Sequence, residues 1–175
     1  MLKNISVARK FTILIASVFL GMTALFVIST YTISKTSIGS DTYKSIESSK
    51  DLLADILPPP LYVIETYLDA LQTVSTTDAA TLDKLFASIA LHKQAFQRQY
   101  ELWRASNIDP TIKGILNQEL HPTGIAVFEV IEAKLKPAIQ SKNTAEAENI
   151  CLHQLTPAYQ KHRAVVDKLA VLLDD

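Results

Sequence analysis

The chain has 175 residues, a net charge of −1 and a single cysteine, Cys151. That length allows one domain with a core plus an anchor. Near-neutrality removes the electrostatic case for nucleic-acid binding, and one cysteine excludes an internal disulfide framework. Only four glycines are present, and no Asn-Gly or Asp-Gly joins two β-branched runs, so nothing signals a hairpin. Ala, Leu, Ile, Lys, Glu and Gln are plentiful, and the expectation is an all-α protein.

Residues 1–10 carry Lys3, Arg9 and Lys10 and no acid. The next 23 positions, Phe11 to Ile33, contain no charge. At about 1.5 Å per residue they span roughly 34 Å, slightly more than a hydrocarbon core of about 30 Å. This predicts a transmembrane helix over 11–33. The positive-inside rule then places residues 1–10 in the cytoplasm and the body, 34–175, beyond the bacterial inner membrane, with Tyr31 as an anchor at the far interface. A cleaved signal peptide is the competing reading. Its apolar region would be about 7–15 residues long and end in a small-x-small site, which Tyr31-Thr32-Ile33-Ser34-Lys35 does not provide. In a periplasmic body, Cys151 is either buried and reduced or available for pairing between subunits.

From Ser34 on, apolar positions spaced alternately three and four residues mark four helices. The first runs from about Ser34 to Val74, with seam Ile46, Ser49, Leu53, Ile56, Leu61, Ile64, Leu68 and Leu71. Pro58, Pro59 and Pro60 break it, since each interior proline removes a backbone hydrogen bond and clashes with the preceding turn. The five-residue step from Ile56 to Leu61 also resets the register. Thr76-Thr77-Asp78 ends this helix and offers caps for the next. The second covers about Ala79 to Ala105, with seam Leu82, Leu85, Ile89, His92, Phe96, Gln99 and Trp103. Asn107 to Pro110 forms a turn with proline set for a first helical position. The third reaches about Gln140 on seam Gln118, His121, Ile125, Phe128, Glu132, Leu135 and Ile139, and is interrupted at Pro122, Gly124 and Pro137. Ser141 to Thr144 turns the chain into the fourth, from about Ala145, with seam Leu152, Leu155, Tyr159, His162, Val166, Leu169 and Leu173. Short turns between long amphipathic helices imply an up-down-up-down antiparallel four-helix bundle. The fourth pattern is still running at Asp175, which leads us to expect a continuation into a second membrane helix.

At this point the chain resembles the input half of bacterial methyl-accepting chemotaxis proteins, which place a helical sensor region after one signal anchor. Three blocks carry the resemblance: Asp55 to Leu68 with its proline triplet, Leu120-His121-Pro122, and Leu155 to Arg163. Similar regions precede histidine kinases and diguanylate cyclases. The resemblance implies a homodimeric, ligand-sensing input domain that signals by helix displacement, with the cytoplasmic output module missing from this chain. It implies no particular ligand.

No catalytic constellation stands out: there is no Gly-x-Ser-x-Gly, no phosphate-binding glycine loop and no His-Glu-x-x-His. We therefore expect no enzyme. The levels of the breaks are more informative. Taking the membrane-distal tip at the turns near Thr76 and Asn143, the prolines at 60, 122 and 157 and the seam residues His92, His121 and His162 all fall roughly 21–30 Å below it. Freed carbonyls and inward imidazoles in one layer describe a pocket between helices. The candidate ligand-binding set is Pro59, Tyr62, Glu65, His92, Phe96, His121, Tyr159, His162 and Arg163. Its occupant would be a small polar or anionic ligand, with Arg98, Arg104 and Arg163 as permanent cations. Haem or a divalent metal at the histidine layer is a lesser alternative and needs two imidazoles facing each other; otherwise no cofactor is expected. A seam histidine or tyrosine that merely fills the core is the plainer reading of each residue taken singly. Sensing through a periplasmic binding protein, an input domain for a kinase or cyclase, and a membrane-anchored scaffold for protein partners are the competing functions.

Overall fold

The computed structural model describes residues 6–36, 47, 50–54 and 61–174. Every extended element among them is helical and no strand occurs. The chain divides into two units, Met1–Ile46 and Glu47–Asp175.

The first unit contains α1, Val7–Thr36. Within it, Val7–Lys35 has a mean hydropathy of 2.5 and is long and apolar enough to cross a membrane. The expected span, 11–33, sits inside this helix. Five of its hydroxyls turn back on the helix itself. Thr12, Thr23 and Thr30 donate to the carbonyls of Ala8, Phe19 and Phe26, and Ser17 and Ser34 to those of Leu14 and Tyr31. Polar side chains satisfied in this way need no partner from solvent, the condition a lipid-exposed helix must meet.

The second unit contains α2 (Ile64–Ser75), α3 (Ala79–Ala105), α4 (110–140) and α5 (144–174). Residues 50–54 are helical as well. The proline triplet and the predicted register step at Ile56 lie outside the described residues. On its near side, Leu61 and Tyr62 form a turn and Val63 takes φ 43°, in the left-handed region that β-branched residues avoid. The turns between helices follow from their capping residues. Asp78 accepts from the Thr81 N–H at 2.9 Å, and Asp109 accepts from the Thr111 N–H at 2.7 Å with Pro110 at the helix start. The Thr81 hydroxyl, and then its N–H, lower the Asp78 carboxyl pKa, and the Thr111 and Ile112 N–H groups lower that of Asp109. At the end of α4, Asn143 N–H reaches the Ala138 carbonyl and Lys142 N–H the Ile139 carbonyl, a Schellman closure with Lys142 at φ 56°. Asn143 then caps α5 by accepting from the Glu146 N–H at 3.1 Å.

Side-chain pairs show how the helices run. Leu61 meets His162 while Tyr67 meets Thr156. Lys93 meets Glu132 while Tyr100 meets Asn117. Glu119 meets Lys168 while Lys134 meets Gln154. In each couple one residue number rises as the other falls, so α2 with α5, α3 with α4, and α4 with α5 are antiparallel neighbours.

The prolines do not interrupt α4 and α5 as expected. Both helices continue through them by way of a π turn: Leu116–Leu120 before Pro122, Ile131–Leu135 before Pro137, and Cys151–Leu155 before Pro157. In a regular helix each proline ring would strike the carbonyl four residues back. Instead the residue just before the proline donates to the carbonyl five back: His121 to Leu116, Lys136 to Ile131, Thr156 to Cys151. A π turn takes one residue more than an α turn. That corrects the seam. In α4 the buried positions are Ile112, Ile115, Leu116, Leu120, Gly124, Val127, Phe128, Ile131, Leu135 and Ala138, while Gln118 and Glu132 are exposed. In α5, Cys151 is buried and Leu152 exposed, and the predicted seam resumes from Leu155 through Leu169. In α2, Thr66, Ala70 and Thr73 are buried and Leu68 is half exposed. The seam expected at Leu68 is therefore wrong: the helix restarts at Ile64 after the Val63 turn and packs a face of small residues.

Candidate functional site

Phe96, His121 and His162 meet inside the second unit. The Phe96 ring lies 5.9 Å from the His121 ring and 6.1 Å from the His162 ring, edge-on to the latter. Phe96 and His162 are fully buried. Gly124 makes this possible: a Cβ there would fall 2.7 Å from Phe96 Cε2, closer still to Cζ, and 3.2 Å from His162 Cε1. His121 is capped on its other side by Tyr100, with ring centroids 3.8 Å apart. The expected layer thus brings residues from three helices together, and aromatic packing fills it.

His162 is bonded through both ring nitrogens. Nε2 lies 2.8 Å from the Leu61 carbonyl, which only accepts, so Nε2 carries a proton. Nδ1 lies 3.1 Å from Thr123 Oγ1. The Thr123 hydroxyl also reaches the carbonyls of Glu119 at 2.6 Å and Leu120 at 3.0 Å. In the neutral ring the threonine proton turns to Nδ1; in the cation Nδ1–H donates to Oγ1 and the threonine proton turns to Glu119. Burial pushes the His162 pKa down, while the Leu61 and Leu120 carbonyls pull it up; the net shift is downward. Burial likewise lowers His121, with Glu101 opposing. Through the Leu61 bond, His162 ties α5 to the turn that precedes α2.

The tyrosines form a second cluster on the same two elements. Tyr67 stacks on Tyr159 at 4.2 Å, and the Tyr159 hydroxyl donates to the Tyr62 hydroxyl at 3.2 Å. Burial, helped by that bond, raises the Tyr159 phenol far above the range in which tyrosine ionises. His92 takes a different neighbourhood, with Nε2 3.4 Å from Glu65 and Nδ1 3.7 Å from Asp69. Asp69 Oδ2, His92 Nδ1 and the buried Thr66 hydroxyl have no hydrogen-bond partner among the described residues.

Three expectations need restating on this geometry. Arg163 is exposed and turns to Asp167 at 3.7 Å, because one helical position from His162 rotates it away from the core. Arg104 is taken up by Glu101 at 2.7 Å. The two imidazoles suited to haem or a metal both contact Phe96, and neither His162 nitrogen is free to ligate. Pro59 lies outside the described residues. Cys151 is buried and free, and burial raises its thiol pKa.

Open space lies elsewhere. A groove of about 870 Å³ runs beside the turns that join α2 to α3 and α4 to α5, walled by Val74, Leu82, Phe86 and Ile139 and edged by Asp83, Lys136 and Lys142. A smaller one, about 470 Å³, lies between α4 and α5 beside Pro122 and Lys161. Neither is lined by His92, His121 or His162. Leu82 and Ile139 of its wall lie on predicted seams; the large groove was missed because the candidate layer was placed at the prolines and histidines, far from the turns that complete it. No protein-family model matches the chain, and no curated protein or solved structure matches it either.

Proposed function

We propose that this chain is the sensory input part of a bacterial membrane receptor of the chemotaxis type. α1 is its anchor in the inner membrane. α2 to α5, with the helical segment before the prolines, make a periplasmic up-down-up-down four-helix bundle that works as a homodimer. The observation that carries the reading is a helix apolar enough to span a bilayer, placed before a body whose helices pair antiparallel. The resemblance of the Asp55–Leu68, Leu120–Pro122 and Leu155–Arg163 blocks to chemoreceptor sensor regions supports an input domain, and similar regions also precede histidine kinases and diguanylate cyclases. The His162–Leu61 bond supports signalling through α5, because a shift of α5 must either carry the turn before α2 or break a buried bond. A signal then requires a ligand with different affinity for two packings of these helices.

The test is a chimera in which this chain replaces the input half of a receptor with a readable output. A metabolite library is screened for compounds that change that output. At least one compound should do so in the chimera and leave the parent receptor silent. A chimera that inserts, dimerises and signals basally, yet answers no compound and no periplasmic extract, overturns the reading and leaves the anchored scaffold in its place.

A further inference from the structure

We infer that the 870 Å³ groove beside the two turns binds an organic carboxylate with an apolar body. The inference rests on the sensory reading and gives it a site different from the histidine layer. Three features converge.

The first is size and lining. The volume falls within the range of about 300–1,000 Å³ typical of small-molecule sites, and the walls mix apolar side chains with a few polar groups. Val74, Leu82, Phe86 and Ile139 come from three helices, so the groove exists only in the folded unit.

The second is charge. The ionisable residues on its edge are Asp83, Lys136 and Lys142, one anion and two cations. Neither lysine is in an ion pair with a carboxylate among the described residues, whereas Lys93 and Lys168 elsewhere in the unit are. A single carboxylate on the ligand balances the site.

The third is positioning. The Lys136 ammonium is held 5.3 Å from the centroid of the Phe86 ring, an attraction that fixes a cation without neutralising it. Lys136 follows the π turn Ile131–Leu135 and precedes Pro137, so the extra residue of that turn sets where its side chain emerges. Lys142 is fixed in turn by the Schellman closure at the end of α4. The two cations therefore rest on rigid backbone. A ligand ring or chain lies against the apolar wall with its carboxylate between them.

The experiment uses the full chain in lipid nanodiscs and isothermal titration with three compounds of one shape: indole-3-acetate, neutral indole-3-acetamide and cationic tryptamine. Indole-3-acetate should bind, and the other two should bind at least roughly tenfold more weakly, the equivalent of about 1.4 kcal/mol for a lost charge-assisted bond. Lys136→Gln and Lys142→Gln should each weaken indole-3-acetate to a similar degree. Lys161→Gln, beside the other groove, should not change it. Thermal unfolding checks that the variants fold, which exposed lysines permit. Absence of indole-3-acetate binding, equal binding of the amide, or indifference to both groove lysines overturns the site. The receptor chimera separates the two readings. Lysine-dependent binding without any change in output keeps the site and fails the sensor. Output responses that survive Lys136→Gln and Lys142→Gln keep the sensor and fail the site.

Discussion

At the scale of single residues, the contact between Gly124 and Phe96 decides how the buried layer packs. No β-carbon fits at 124 without moving the Phe96 ring, which is fully enclosed. Gly124→Ala should therefore destabilise the chain by about 1–3 kcal/mol of overpacking, despite the higher helix propensity of alanine. Chemical denaturation measures this, and an unchanged midpoint would show that the ring moves freely. His162 makes a second prediction, in pH. Its folded-state pKa is lowered by burial, so around pH 6 the unfolded chain takes up the proton more readily than the folded one. The stability gained from a neutral buried ring is complete above the unfolded value of about 6.5 and is lost as pH falls toward the folded pKa. His121 shifts in the same direction and adds to the loss. His162→Leu keeps most of the volume but leaves the Leu61 carbonyl without its partner. It should cost about 1–3 kcal/mol at pH 8 and make the acid side of the stability curve shallower. An acid slope equal to that of the wild type would assign the effect to other groups.

At the scale of elements, the three π turns explain both what the sequence reveals and what it hides. Helices and turns are readable from short-range chemistry. Asp78 caps where expected, Asp109 and Asn143 cap within the predicted turns, and the predicted seam of α3 from Ile89 to Phe96 faces the core. The faces of α4 and of the start of α5 are misread because a three-four count assumes an unbroken α turn, whereas each proline adds a residue. α2 is misread for another reason: its inner face is Thr66, Ala70 and Thr73, small side chains that a search for large apolar residues passes over. Of the candidate site, His121 and His162 could be placed together from their levels, but His92 turns to Glu65 and Asp69, and the Phe96 ring and glycine contact that close the layer depend on tertiary packing. The π turn also has a measurable consequence. A π turn is an α-helix with one residue inserted, so removing one residue restores regular helix and leaves both flanks in register. Deleting the exposed Leu152 together with Pro157→Ala should leave circular dichroism and unfolding midpoint close to wild type. Deleting Leu152 alone returns Pro157 to a regular helix and should cost about 3 kcal/mol. Deleting Ala164, in the regular part of α5, rotates all that follows by about 100° and turns Val166 and Leu169 out of the core, which should unfold the chain. Equal effects from the Leu152 and Ala164 deletions, each made with Pro157→Ala, would mean that the extra residue is not what the prolines require.

At the scale of the whole molecule, the sensory reading stands on topology before it stands on any ligand, because a groove can sample the periplasm only if α2 to α5 lie there. The physical basis is charge asymmetry: Lys3, Arg9 and Lys10 precede the apolar run with no acid among them, and such clusters stay on the cytoplasmic side. Lys35, at the last turn of α1, is the one basic residue within ten of the far end of the run, against three on the near side, with Lys44 and Lys50 further along the chain. Alkaline phosphatase, which folds only where disulfides form, should be active when fused after Asp175, and a fluorescent protein that matures only in the cytoplasm should stay dark at the same position. Replacing Lys3, Arg9 and Lys10 with Gln while adding three lysines after Lys35 should reverse both signals in the population that inserts. The same fusions separate an anchor from a cleaved leader. An uncleaved chain keeps phosphatase activity in the membrane fraction at the mass of the complete fusion, and a cleaved one releases a shorter product to the periplasm. A dark phosphatase and a bright fluorescent protein in the unaltered chain would put the groove and its lysines in the cytoplasm, and the proposed receptor would lose its input.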